Sequence, residues 1–321
     1  MKMNMTNMMF LTIMMTSTIM VISSNNMLFS WTSMEINFIS FLPILNKSKK
    51  ISDQTMKYLI IQSLSSSLML MAMMMNSTMN NKTECSMLLM ASMMMKTGMM
   101  PLHLWMPSLM QMMSWENCMI FSTWQKVAPT ILLSQMIQMK FMIPIFHLNL
   151  LISPITGVKQ TSTKKMMAYS SISNSPWMIM ATKMSKLQSI YFFSIYSMLM
   201  MTMTKSMKKN NMNFMNQLKH LNSSQKFLLM STMLSISGMP PLMGFFPKWM
   251  IMQSMTLMST QMTISLLLSS IISTFMYMKM IYPTMMEMYL NKKTKLMSKQ
   301  NLIKVSLNLM GIPMTMILKM N

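Results

Sequence analysis

Arginine is absent from this sequence, acid is nearly so, and glycine and cysteine are scarce. All 27 basic residues are lysine, against five acids: Glu35, Asp53, Glu84, Glu116 and Glu287. Charged residues make up 10% of the 321 residues, whereas soluble domains carry about 25%. A water-facing surface cannot be covered at that density, so a soluble fold is excluded. The five glycines form no phosphate-cradling loop and no flavin or nucleotide fingerprint. Cys85 and Cys118 fall in different segments, which excludes a disulfide framework and an iron–sulfur or other metal cluster.

What is present is apolar. Hydrophobic residues make up 52% of the chain, and 64 of them are methionine. Methionine and lysine in place of other apolar residues and arginine fit AT-rich coding with ATA read as methionine, as in animal mitochondria. Physically, methionine is a flexible filler. It falls on every side of the apolar runs, so no methionine metal site is expected. Runs of about 20 apolar residues, the length that crosses a ~30 Å hydrocarbon core, recur throughout. They predict eleven spans at 4–22, 26–46, 56–75, 86–106, 112–138, 141–157, 164–182, 189–207, 227–256, 262–282 and 302–319. The fold class is an all-α polytopic membrane protein. The opening lysine and apolar run resemble a signal peptide, but no small-residue cleavage site follows, and the run reads as the first span.

A net charge of +22 raises the question of nucleic acid, and the placement of the lysines answers it. Seventeen fall on the side that holds the N-terminus. Only five (Lys82, Lys140, Lys183, Lys186 and Lys319) fall on the other, and five lie inside spans. That asymmetry is a positive-inside signal; it puts the N-terminus inside and, with an odd span count, the C-terminus outside. The basic loops suit anionic lipid headgroups or partner subunits, and no nucleic-acid partner is expected. The longest polar stretch, 205–226, is expected to hold a short amphipathic helix, and Pro154 with Gly157 to break the end of span six.

Four charges lie deep in the spans: Glu35, Lys96, Lys126 and Lys248, each within roughly 10 Å of the midplane at 1.5 Å per residue. Each costs about 2.5–3.5 kcal/mol there, about 10–14 together, unless paired or hydrated. One glutamate cannot neutralise three lysines. Burial favours the neutral amine and a nearby carboxylate favours the ammonium, so these lysines are poised to load and release protons. Lys279 and Lys304, near interior-side ends, can snorkel out as anchors. Helix breakers accompany the central charges. Gly98 and Pro101 follow Lys96; Gly238, Pro240, Pro241, Gly244 and Pro247 precede Lys248. Carbonyls freed by proline in lipid must be met by protein or water, so two discontinuous helices lining a hydrated interior are expected. They lie five spans apart, which predicts inverted repeats: 1–138, 139–283, and an interior-side loop with an extra C-terminal helix over 284–321.

The stretches WTSMEINFISFLP, MKTGMMPLHLWMP, TWQKVAP, MMAYSSIS and GMPPLMGFFPKW together resemble the chain 2 family of mitochondrial NADH:ubiquinone oxidoreductase, respiratory complex I. The resemblance runs in order over about residues 25–285. It implies an antiporter-like fold; bacterial relatives have fourteen helices and animal versions lack the first three, in keeping with eleven. It implies that Glu35, Lys96, Lys126 and Lys248 transfer protons, and it makes His103 a relay candidate. It also implies that NADH, flavin, iron–sulfur clusters and ubiquinone belong to partner subunits, with no cofactor in this chain. The partners would be neighbouring antiporter-like subunits and an anionic phospholipid such as cardiolipin. The setting would be the mitochondrial inner membrane, with the N-terminus in the matrix and the C-terminus in the intermembrane space. Two departures stand out. Asn174 and Pro176 occupy positions where the family commonly has His and Gly, so span seven offers no histidine for a relay. Ser108 follows Trp-x-Pro where an acid is common, and Glu116 is the candidate substitute. The competing readings are a free-standing cation/proton antiporter, which would want an internal acidic site, and a structural membrane subunit.

Overall fold

A backbone in lipid must satisfy its own N–H and C=O groups, and the described residues do so by forming helices. The computed structural model describes residues 5–45, 52–78, 82–136, 139–209 and 212–290, with 301, 305, 306, 308 and 309. The helices are α1 (Met5–Ser23), α2 (Met27–Leu45), α3 (Ser52–Thr78), α4 (Lys82–Thr97), α5 (Trp105–Met112), α6 (Trp115–Ser122), α7 (Trp124–Met136), α8 (Met139–Val158), α9 (Thr163–Met184), α10 (Lys186–Lys209), α11 (Ser223–Ser237), α12 (Phe245–Thr256) and α13 (Thr260–Leu290). A 3₁₀ helix covers Met215–His220. Serine and threonine are frequent inside these helices because their hydroxyls donate back one turn, as Ser40 does to Asn37 O (2.8 Å), Ser92 to Leu89 O (2.8 Å) and Ser235 to Thr232 O (2.7 Å). By length and composition, α1, α2, α3 and α13 suffice to cross a membrane. The expected last span, 302–319, and the loop lysines Lys292, Lys293, Lys295 and Lys299 lie outside the described residues, apart from Val305, Ser306, Asn308 and Leu309.

The chain forms two compact units, 1–146 and 147–321. In the first, α1 packs on α2, α3 on α4, and α7 on α1, α4 and α6. Its centre is aromatic. Tyr58 meets Phe38, Phe41, Trp105 and Phe121 at centroid distances of 5.5, 6.0, 5.7 and 6.0 Å, the spacing at which edge-to-face rings attract. In the second unit α9 is the buried post: from Met166 to Ala181 every residue is buried. Around it stand α10, α12 and α13. Asn149 of α8 ties itself to the post by donating to Ile172 O (3.1 Å) and Ser175 Oγ (3.2 Å).

Three expectations change on contact with the structure. Span five is not one helix. α6 and α7 meet at Thr123, whose N–H reaches back to Met119 O (3.1 Å) with its hydroxyl on the same oxygen (2.7 Å); Lys126 sits in the first turn of α7, not mid-helix. Helix α8 runs through Pro154 to Val158, because one missing donor near a helix end is not enough to stop it. Among its described residues, segment 205–226 holds no separate amphipathic α-helix. α10 continues to Lys209, and the 3₁₀ turn follows, pinned by a Ser162–Phe214 bridge and by the Thr163 hydroxyl on Met212 O and Asn213 O (3.1 and 3.0 Å).

Two lysines are anchored on the second unit. Lys279 donates to Val158 O at 2.6 Å, placing a cation on the C-terminus of α8. Lys226, at the start of α11, pairs with Glu287 near the end of α13 at 3.4 Å; its side chain is 5% exposed and that of Glu287 34%. Water reaches the carboxylate, so the pair behaves more like a surface pair than a dry one. Glu287→Gln is expected to cost about 1 kcal/mol, read as a small fall in the unfolding midpoint in detergent. A loss beyond about 3 kcal/mol would mean that the pair is dry.

Candidate functional site

The two helix breaks share one local plan. Helix α4 ends at Thr97, Gly98 turns left-handed at φ 67°, and Met100–Pro101 is cis; helix resumes at Trp105. Helix α11 ends at Ser237, Gly238 is left-handed at φ 85°, Pro240–Pro241 is cis, and helix resumes at Phe245. Glycine is required at both left-handed positions because a Cβ would meet the following carbonyl oxygen. The cis proline stands three residues after each glycine and the new helix begins seven after it.

In the first unit the break delivers Lys96 to Glu35. Lys96 lies two residues before Gly98, in the last turn of α4, and its Nζ is 3.3 Å from Glu35 Oε1 on α2. Lys96 is 4% exposed and Glu35 22%, so the lysine is the desolvated partner and the carboxylate its nearest counter-charge. Beside the pair is a polar cavity of about 30 Å³, lined by Asn37, Tyr58, Gln62, Lys96, Gln125 and Pro129 together with Met34, Phe38 and Phe121. One water needs about 10–15 Å³ and two to four polar partners, so one or two waters fit. Gln62 Nε2 approaches Lys96 O at 3.5 Å. The amide of Gln125 donates to Asn37 Oδ1 at 3.2 Å.

Lys126, next in sequence to Gln125, is buried on α7, with its backbone carbonyl accepting from Thr130 Oγ1 at 2.7 Å. It is not among the residues lining the cavity. His103 lies in the loop between α4 and α5, half-buried, with Nδ1 3.1 Å from Pro101 O. That contact is a hydrogen bond only when Nδ1 carries the proton, which leaves Nε2 as the acceptor of the neutral ring. Glu116 is in the first turn of α6.

In the second unit proline chemistry seats the lysine. Within a helix, Ile236 O and Ser237 O would accept from residues 240 and 241; both are proline and have no N–H to give. Lys248, on the first turn of α12, fills that gap, its Nζ donating to Ile236 O (3.1 Å) and Ser237 O (2.8 Å). The face of Trp177 on α9 stands 5.4 Å from the same ammonium, within cation–π range. Lys248 is buried, and among the described residues it has no ion pair. A second, tighter cavity of about 10 Å³ touches it, lined in part by Asn174, Tyr196 and Ser235. Asn174 thus stands beside the lysine at the position where a histidine was sought.

Sequence reasoning missed Tyr58, Gln62, Asn37, Gln125 and Trp177. The signal was there: Tyr58 and Gln62 are spaced i, i+4 on α3, and Gln125 adjoins Lys126. Among the described residues no group of three or more metal-ligating side chains gathers, and Cys85 and Cys118 are buried and not joined in a disulfide.

Comparison with known proteins agrees with this architecture. Residues 24–274 match the family described as NADH:quinone oxidoreductase/Mrp antiporter, TM. The chain is 35% identical to NADH-ubiquinone oxidoreductase chain 2 of Locusta migratoria over 98% of this chain and 95% of that one. It is 32% identical to the Bos taurus chain 2, covering 95% of each. Among solved structures it resembles a chain of respiratory complex I from Thermus thermophilus with bound aureothin (TM-score 0.80, 15% identity, covering 98% of this chain and 80% of that one). It also resembles a chain of the Mrp complex from Dietzia (TM-score 0.73, 10% identity, covering 90% and 61%). The fold, two helix breaks with buried lysines, and these relatives place the chain in the antiporter-like membrane-subunit family of NADH:quinone oxidoreductase and Mrp complexes, as a member of the NADH-ubiquinone oxidoreductase chain 2 group within respiratory complex I.

Proposed function

We infer that this chain carries protons across the mitochondrial inner membrane through Glu35, Lys96, Lys126 and Lys248, driven by redox chemistry in partner subunits. The observation that carries the reading is the Lys96–Glu35 pair, set beside a helix break and a cavity large enough for water. A buried ion pair is a poor stabiliser, since desolvation offsets its attraction. One that opens onto water can exchange its proton. His103, close to the same break, is the candidate for delivering protons to it. NADH, flavin, iron–sulfur clusters and ubiquinone are assigned to partner subunits and none to this chain.

The topology completes the reading. α4 with α5, α6 with α7, and α11 with α12 each form one crossing; with α1, α2, α3, α8, α9, α10, α13 and the C-terminal segment 302–319 they make eleven. Residues 1–138 and 139–283 are inverted repeats, each with one helix broken beside its buried lysine, at Gly98 and at Gly238, and 284–321 adds an interior loop and the last helix. The equal step of seven residues from each left-handed glycine to the resumed helix supports a repeat. The lysine-rich loops face the matrix with the N-terminus, where they meet anionic phospholipid such as cardiolipin, and the C-terminus faces the intermembrane space.

The test uses the pair itself. Glu35→Gln leaves Lys96 buried without its carboxylate and is expected to lower complex stability by about 1–3 kcal/mol, toward the low end because Glu35 is partly exposed. Glu35→Gln combined with Lys96→Met removes the charge problem and should recover assembly. Proton pumping in sealed vesicles should fail in both. Recovery of pumping together with assembly in the double variant would assign the pair a structural role.

A further inference from the structure

Gln125 occupies a position that the proton-transfer reading does not use. Its side-chain nitrogen has two acceptors, Asn37 Oδ1 and Met14 Sδ, both at 3.2 Å. A thioether sulfur has no proton to give, so the group facing Met14 is the NH₂, and both of its donors are spent on α1 and α2. The amide orientation is thereby fixed, and Oε1 is the remaining polar atom of a side chain that lines the cavity beside Lys96. The same residue carries a second oxygen. In α7 the backbone carbonyl of Gln125 would accept from residue 129, which is proline and has no N–H. Pro129 lines the same cavity, one turn along the same helix face. Lys96 Nζ has three donors, of which Glu35 takes one.

We propose that Gln125 is a positioning residue for the Lys96 proton. Its side-chain oxygen and its proline-freed backbone oxygen together hold a water in the cavity, and that water receives a hydrogen bond from the Lys96 ammonium. The ammonium then has a hydrogen-bond acceptor on the α7 side when it parts from Glu35. Asn37 and Met14 act through Gln125 by holding its amide in register. The inference rests on the proton-transfer reading and names the group that lets Lys96 leave its carboxylate.

The experiment compares two variants in the assembled complex in sealed vesicles. Gln125→Met keeps the volume and removes the side-chain amide; Gln125→Asn keeps the amide, with its oxygen and both donors, and loses one methylene. Gln125→Met is expected to slow pumping about tenfold, the effect of one lost hydrogen bond, and Gln125→Asn to slow it less. A fall in Gln125→Asn as large as in Gln125→Met would mean that Gln125 only packs, and normal pumping in Gln125→Met would remove it from the route; either overturns the proposal. If Lys126→Met and Glu35→Gln also pump normally, the proton-transfer reading itself has failed; if only Gln125→Met does, the failure belongs to Gln125. Should the variants not assemble, a map of the wild-type complex that resolves water decides. Water within hydrogen-bond distance of both a Gln125 oxygen and Lys96 Nζ is expected, and an empty cavity overturns the proposal.

Discussion

Replacing Lys126 with methionine is expected to leave the complex assembled and to reduce proton pumping and coupled quinone reductase activity by about a hundredfold or more, the lower edge of what a proton-transferring side chain contributes. The stability half of this expectation follows from burial. Lys126 is 3% exposed, and exchanging a buried charge for an apolar side chain of similar volume is commonly neutral or stabilising. The activity half follows from sequence position. No acid lies within a turn of Lys126 along its chain; Glu116 is ten residues away, about 15 Å in a continuous helix, and the break at Thr123 separates the two helices. The α7 sequence carries no acid, so the charges that bear on the Lys126 proton come from outside its own helix. Both quantities are read in sealed vesicles with the variant in the complex. Normal pumping per electron pair would remove Lys126 from the route, and loss of assembly would make it a structural cation.

The sequence made the helical class, the two breaks and the charge set legible because each rests on a strong local rule. Glycine and proline beside a lysine in an apolar run have few structural explanations. Which lysine Glu35 meets is read from the structure, where it is 3.3 Å from Lys96. The break at Thr123 was not legible. Threonine there carries no breaker signal, and the proline that accompanies it, Pro129, lies six residues on. The continuity of α8 through Pro154 was misjudged for the opposite reason: proline deletes one hydrogen bond, and the turns on either side decide whether the helix survives. The 3₁₀ turn at 215–220 was hidden because what holds its neighbourhood, Thr161 to Thr163, is some fifty residues away in sequence.

Site residues divide in the same way. Charges announce themselves in an apolar helix; neutral polar groups do not. Asn37, Gln62 and Gln125 look like ordinary interruptions until the fold gathers them around one cavity. The seat of Lys248 is a case in which the sequence held the answer in a form that needs the structure to read. Pro240 and Pro241 were recognised as breakers. Their further consequence is that Ile236 O and Ser237 O lose their helical donors, and these are the two oxygens to which Lys248 donates.

Gly244→Ala tests how tightly that seat is built. A Cβ on Gly244 would overlap the carbonyl oxygen of Ser235 and come within 2.6 Å of its carbonyl carbon. Both are backbone atoms in the last turn of α11, and Ser235 O already accepts the Gly238 N–H at 3.1 Å. No side-chain rotation relieves the overlap. The loop must lift from α11, which displaces Lys248 from Ile236 O and Ser237 O. Overpacking of this kind costs typically about 1–3 kcal/mol and more where backbone must move, so a large fall in assembled complex is expected, measured by native gel and by the unfolding midpoint. Gly157→Ala is the control. Its nearest neighbour is Met276 Sδ at 2.5 Å, the end of a flexible side chain, and Tyr169 Cβ at 3.1 Å need give only slightly, while within α8 alanine gains roughly 1 kcal/mol of helix propensity over glycine. Gly157→Ala should therefore assemble close to the wild-type level. Equal assembly of the two variants would mean that the break loop yields easily, and that Lys248 is held by its own two hydrogen bonds and not by the packing of Gly244 against Ser235.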